Sequence, residues 1–169
     1  LQTGKYGVML QSVQLYDQTG VIVQETEAAM GKDIKVAGVA TVSESLKTAF
    51  ATEDQFGNPT VNMATAKPVS LLCASGFAQT YNLLTGHRDA TLAENGDAGE
   101  LNTTLWPITD LETLEIISQW DTPEGGKWIV DYDIIDSMLA VNNPDLTNAD
   151  IQAIVDSVTY ESTLERLGE

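Results

Sequence analysis

The hydrophobic period changes along this chain, and that change constrains the fold more than any other feature of the sequence. Near the start, Tyr6, Val8 and Leu10 alternate with Lys5, Gly7 and Met9. This is the period of two that belongs to a strand. Near the end, Ile151, Ile154, Val155 and Val158 recur every three or four residues and form one helical stripe. A period that moves from two toward 3.6 reads as an α+β protein. The expected layout is a β-rich N-terminal half followed by a more helical, acidic C-terminal half.

The local signals fill in this layout. Val13 and Leu15 continue the first run in the opposite phase, so a bulge or break is expected near Gln11-Ser12. Asp17-Gln18-Thr19-Gly20 reads as a turn and Val21-Ile22-Val23 as a short β-branched run, so the two runs are expected to form a hairpin. Ile34 to Ala40 is a third strand candidate. A short helix capped by Ser43 follows, with Leu46 and Phe50 on one face, ended by Asp54 to Pro59. Residues 60–77 are expected to be extended around Pro68, and a helix runs from about Gly76 to Leu84, stopped by Gly86.

Further on, Leu111, Leu114, Ile117 and Trp120 fit a helix capped at Thr109, while Leu114, Ile116 and Trp120 fit a strand. Both readings stay open. Asp121 to Gly126 is a turn, residues 127–133 read as a strand, and residues 134–141 as a helix. The last helix starts at a Thr147 or Asn148 cap, with Asp150 at capping-box spacing.

Charge divides the chain in another way. Residues 1–88 hold seven acids and six bases, whereas residues 89–169 hold eighteen acids against Lys127 and Arg166, within a total of −17. The shift places a near-neutral β-rich subdomain at 1–88, a loop or linker at 89–102 and an acidic α/β subdomain at 103–169, either separate or merged in one compact domain. Such acidity opposes direct nucleic-acid binding, which needs Lys and Arg to displace phosphate counterions. It also opposes anionic membrane surfaces. No stretch is apolar for the ~18–20 residues of a membrane span, so no membrane insertion is expected. The first residue is Leu1, which is expected to follow a removed leader or a late start.

Chemistry-bearing residues are few. Cys73 is the single cysteine, set in the apolar run Val69 to Ala74, and is expected to be a buried structural thiol. His87 is the single histidine and has no accompanying zinc-ligand set. The nucleophile-elbow and phosphate-loop motifs are absent. Asp131, Asp133 and Asp136 form the densest carboxylate cluster. They are candidate Ca²⁺ ligands, because Ca²⁺ takes several oxygen donors, although no EF-hand loop surrounds them. Trp106, Trp120 and Trp128 lie in the acidic half and read mainly as core.

The expected function is therefore non-enzymatic, with no cofactor apart from that candidate Ca²⁺. The chain reads as an acidic structural subunit that self-assembles into a homo-oligomer. Its place would be a phage-like virion (capsid, neck or tail) or an extracellular filament, and its protein partners would be copies of itself or other assembly subunits. The alternative is a secreted or periplasmic binding module whose acidic, aromatic-bearing surface takes a cation, a glycan or a basic partner.

Overall fold

The computed structural model describes residues 8–11, 16–39 and 42–168. In chain order the elements are β1 (Val8–Gln11), α1 (Tyr16–Met30), β2 (Lys35–Gly38), α2 (Glu44–Ala51), β3 (Ala64–Ala66), α3 (Val69–Leu84), β4 (Trp106–Ile108), α4 (Leu111–Ile117), α5 (Tyr132–Ser137), α6 (Asn148–Ser157) and α7 (Tyr160–Leu167). The protein is a mixed α+β fold with short strands. It divides into two compact units, residues 1–67 with 105–119 and residues 68–104 with 120–169. The chain thus leaves the first unit after β3, returns for β4 and α4, and leaves again. Residues 89–102 lie inside the second unit. The first unit holds ten acids and five bases, the second fifteen acids and three bases. The charge asymmetry therefore survives the new division, as net −5 against −12.

In the first unit, β1 and β2 are parallel, with Val8 opposite Lys35 and Gln11 opposite Gly38. Parallel neighbours need a crossover, and α1 supplies it. The segment expected to form a hairpin is this helix: the turn 17–20 and the run Val21 to Val23 both lie within α1. Burial overrides the β preference of that run. Tyr16, Gly20, Val23 and Glu27, at spacings of four, three and four, face inward, while Val21 and Ile22 face outward. Close approach fixes the glycines at two contacts. A Cβ on Gly20 would lie 2.9 Å from Thr60 Cγ2, and one on Gly38 would meet the Tyr16 ring, 2.9 Å from Cζ. The expected bulge at Gln11-Ser12, with Tyr6, Val13 and Leu15, falls mainly outside the described residues.

The helix α2 forms as its sequence requires. Ser43 Oγ accepts the Leu46 N–H at 3.2 Å, and Leu46 and Phe50 are buried. The chain then runs alongside β2: Asn62 N–H donates to Val36 O at 2.9 Å and Gly38 N–H to Met63 O at 2.8 Å. β3 pairs antiparallel with β4, Ala64 opposite Ile108 and Ala66 opposite Trp106. Residues 111–117 resolve to helix, and its cap is Asp110 rather than Thr109, with Oδ1 accepting the Thr113 N–H at 2.7 Å.

In the second unit, α3 packs against α5, α6 and a 3-10 turn at Arg88–Thr91. α3 begins at Val69, well before Gly76, so the extended segment expected for 60–77 is confined to its first part. The strand expected at 127–133 does not form. The described chain there has only a bridge between Trp120 and Lys127, and α5 starts at Tyr132. Ile129 and Val130 are nevertheless buried. The backbone around them bonds to side chains: Ile129 N–H donates to Asp121 Oδ1, and Arg166 Nη2 donates to the carbonyls of Trp128 and Ile129 at 2.9 and 2.7 Å. The final helices match expectation at α6, where Thr147 and Asp150 form a capping box and Ile151, Val155 and Val158 are buried, with Ile154 half-covered.

The α4 cap has a pH consequence. The backbone hydrogen bond from Thr113, joined by a hydrogen bond from the Thr109 hydroxyl, holds the Asp110 carboxyl below its ordinary 3.8. A folded-state value below the unfolded one stabilises above the unfolded value and ceases to do so as pH falls through the folded value. Asp110→Asn keeps a capping oxygen without the titration. The gap in melting temperature between parent and variant should therefore narrow on acidification from neutral to about pH 3. Circular-dichroism melts across that range check it, and a gap independent of pH would refute the account.

Candidate functional site

The outward face of α3 is the most unusual surface of the second unit. The helix carries no charged residue along Val69–Leu84. Leu71, Ala74, Ser75, Ala78 and Asn82 turn inward. Val69, Cys73, Phe77, Leu83 and Leu84 turn outward, with Phe77 50% and Leu84 80% exposed. The Phe77 and Tyr81 rings lie 5.7 Å apart between centroids, which extends the apolar strip. Cys73 is therefore exposed, a correction to the expected buried thiol. The run Val69 to Ala74 spans about 1.7 helical turns, and Leu71 and Ala74 take its inner side.

Two side chains, Asp121 from a distant turn and Asn82 of the helix itself, hold α3 in place. Its first turn has no local side-chain cap, and Asp121 supplies the missing acceptor, with Oδ2 taking the Ser70 N–H at 2.9 Å. Asp121 reaches this position from a left-handed conformation, φ 55°. At the other end Asn82, fully buried, donates from Nδ2 to Met138 O at 2.9 Å and accepts the Ala140 N–H at Oδ1 at 2.8 Å. It clamps the chain that follows α5 onto the inner face of α3.

The candidate Ca²⁺ ligands Asp131, Asp133 and Asp136 lie apart in their roles. Asp131 caps α5 through the Ile134 N–H at 3.0 Å and pairs with Arg166 at 3.3 Å. Asp133 and Asp136 are exposed on α5. The three do not converge as ligands. Among the described residues, the group that brings three carboxylate oxygens within 4.8 Å of one another is Glu27, Asp33 and Asp54, in the first unit. Glu27 sits near the end of α1, Asp33 in the turn to β2, and Asp54 after α2. Sequence reasoning missed this group because its members come from three separate segments. The available signal was Glu27 itself, a carboxylate in register with the inward positions of a helix.

Glu27 is fully buried. One oxygen, Oε1, accepts the Ile34 N–H at 2.8 Å, and the other, Oε2, has no hydrogen-bond partner among the described residues. Burial pushes its carboxyl above the ordinary range. The Ile34 N–H opposes that shift, Asp54 and Asp33 reinforce it, and Lys35 opposes it. Asp33 Oδ2 meets Lys35 Nζ at 2.6 Å and Asn58 Nδ2 at 3.2 Å, whereas its buried Oδ1 has no partner among the described residues. Asp54 Oδ1 accepts the N–H groups of Phe56 and Asn58 at 2.7 and 2.9 Å.

The other sequence candidates are simply placed. His87 precedes the 3-10 turn, its Nδ1 3.2 Å from Thr85 Oγ1. Trp106 and Trp120 are buried, Trp120 against the Tyr160 ring, while Trp128 and Tyr132 are exposed beside Asp131. No helix among the described residues is long and apolar enough to cross a membrane. No family model, curated protein or solved structure matches the chain.

Asn82→Ala should cost about 2–4 kcal/mol, because it leaves a buried N–H and a buried carbonyl unpaired. Urea denaturation measures this, and a loss under about 0.5 kcal/mol, within the range of surface substitutions, would show that the clamp contributes nothing.

Proposed function

We propose that this protein is a non-enzymatic structural subunit that associates with copies of itself through the outward face of α3, as a component of a virion or an extracellular filament. One observation carries the reading: an apolar, uncharged helix face on a unit of net charge −12. Copies of so acidic a chain repel one another, and the repulsion is greatest where carboxylates meet. The α3 face offers a contact whose own residues carry no carboxylate. Phe77, Leu83, Leu84 and Val69 would leave water on contact, which favours association in proportion to the apolar area removed. The assignment to a virion or filament rests on the composition and on the lack of a catalytic motif.

The charge sets the direction of the salt effect. The screening length falls from about 10 Å at 0.1 M salt to about 3 Å at 1 M, so added salt removes repulsion and leaves the apolar contact. Sedimentation equilibrium should show stronger self-association at about 1 M NaCl than at about 0.1 M. Phe77→Glu with Leu84→Glu should abolish it while leaving the circular-dichroism spectrum unchanged. Alkylation of Cys73, open in the monomer, should slow as association proceeds, because the thiol lies on the same face. A parent that stays monomeric at every salt concentration, or a double variant that associates as the parent does, overturns the proposal. Association that weakens with salt would point instead to a basic partner surface and also overturns it.

A further inference from the structure

From the group formed by Glu27, Asp33 and Asp54 we infer a Ca²⁺-binding site in the first unit, independent of the α3 face. Three carboxylates converge there, with their ligand oxygens within 4.8 Å of one another. Convergence of acids alone is common on protein surfaces, and here two further facts point to a ligand. Glu27 is fully buried, and its Oε2 meets no hydrogen-bond donor among the described residues. Asp33 Oδ1 is likewise buried without a partner there. Buried carboxylate oxygens are costly unless paired or bound to a metal. The oxygens that do have partners are the ones that orient the group: Glu27 Oε1 on Ile34, Asp33 Oδ2 on Lys35 and Asn58, and Asp54 Oδ1 on Phe56 and Asn58. One oxygen of each of two carboxylates is thus held by protein donors while the other is left for a cation.

The charge fits a divalent ion. Three carboxylates against the Lys35 ammonium leave two net negative charges. The cation class follows from the donors. Mg²⁺ keeps several waters and is usually held by one or two carboxylates, whereas Ca²⁺ accepts a mainly protein-derived set of oxygens at about 2.3–2.6 Å in flexible geometry. A fully buried Glu27 offers little room for a hydrated ion, which favours Ca²⁺. The site would tie the end of α1, the turn into β2 and the loop after α2 to one ion, and so brace the α1 crossover of the first unit.

The test uses the intact chain, freed of metal with a chelator and dialysed. Calorimetric titration with CaCl₂ should give one site per chain, and the melting temperature should rise with free Ca²⁺ as mass action requires. MgCl₂ should bind at least about tenfold more weakly. Glu27→Gln, which keeps the shape and the Ile34 acceptor, should lose the calorimetric signal and the thermal response while remaining folded in the absence of metal. Asp54→Asn, at the more exposed ligand, should weaken Ca²⁺ binding at least about tenfold, and serves if the first variant fails to fold. Two results would overturn the inference. One is an absence of heat and of thermal shift up to about 10 mM Ca²⁺, beyond even weak extracellular sites. The other is a Glu27→Gln or Asp54→Asn variant that binds Ca²⁺ as the parent does. If the parent ignores Ca²⁺ yet gains stability over Glu27→Gln on mild acidification, Glu27 holds a proton rather than an ion.

Discussion

The second unit depends on side chains that take over the work of a backbone ladder. A buried N–H or carbonyl must find a partner, and irregular chain cannot supply one from its own regular bonding. Around the buried Ile129 and Val130 the partners are Asp121 and Arg166. At Met138 and Ala140 they come from Asn82. At the exposed Asn102 Gln152 does the same work, accepting its N–H and donating to its carbonyl, both at 2.8 Å. Each of these side chains projects from a helix or a tight turn onto a loop. Asp121 and Asn82 do so at the two ends of α3. The outer face of that helix is thereby held by polar anchors, and its apolar residues are not needed to keep it in place.

The acidity of the chain also has a local cause. Asp110, Asp131 and Asp150 accept backbone N–H groups at the starts of α4, α5 and α6. Glu44, Glu112, Asp133 and Glu161 lie in the first turns of helices. Negative charge at these positions complements the helix dipole. In a chain with several short helices, many N-termini ask for acids. The matching bases at C-termini are scarce, since among the labelled helices only α7 has one in its last turn, Arg166. Local capping thus accumulates a surplus of carboxylates that then acts globally, as repulsion between copies. It leaves the uncharged α3 face as an exception that local capping does not explain.

What could be read in the sequence was what is decided within a few residues. The capping box of Thr147 and Asp150 and the stripe that follows it are local, so α6 was legible, and Ser43 with Leu46 and Phe50 made α2 legible in the same way. Residues 127–133 were not, because their partners, Asp121 and Arg166, include one nearly forty positions away, and a run of Trp, Ile, Val and Tyr looks like a strand until those partners are known. Cys73 was misjudged because a short apolar run gives no sign of which side of a helix it will face. The Asp131, Asp133 and Asp136 group shows the converse error. Asp131 is turned back to cap α5 and pair with Arg166, while Asp133 and Asp136, three apart on one helix, stay exposed, so density of acids along the chain is not convergence of ligands.

The helix α1 carries an acid on its inner stripe. Read as strand, Val21 and Val23 share a face with Glu25 and Glu27, and nothing sets Glu27 apart. Read as helix, Tyr16, Gly20 and Val23 lead directly to Glu27 on the inner stripe, and the charge falls where a hydrophobic residue belongs. The helix gains core contacts from the first three positions and meets a desolvation cost at the fourth. Such a conflict between local pattern and burial is what a functional or strained site is expected to show. Asp33 and Asp54, placed against Glu27 by the turn into β2 and the loop after α2, increase the cost instead of relieving it, since their charges push the buried carboxyl further from ionisation. Lys35 and the Ile34 N–H offset only part of that charge, so the cation inferred for this site would act by offsetting the mutual repulsion of all three carboxylates together.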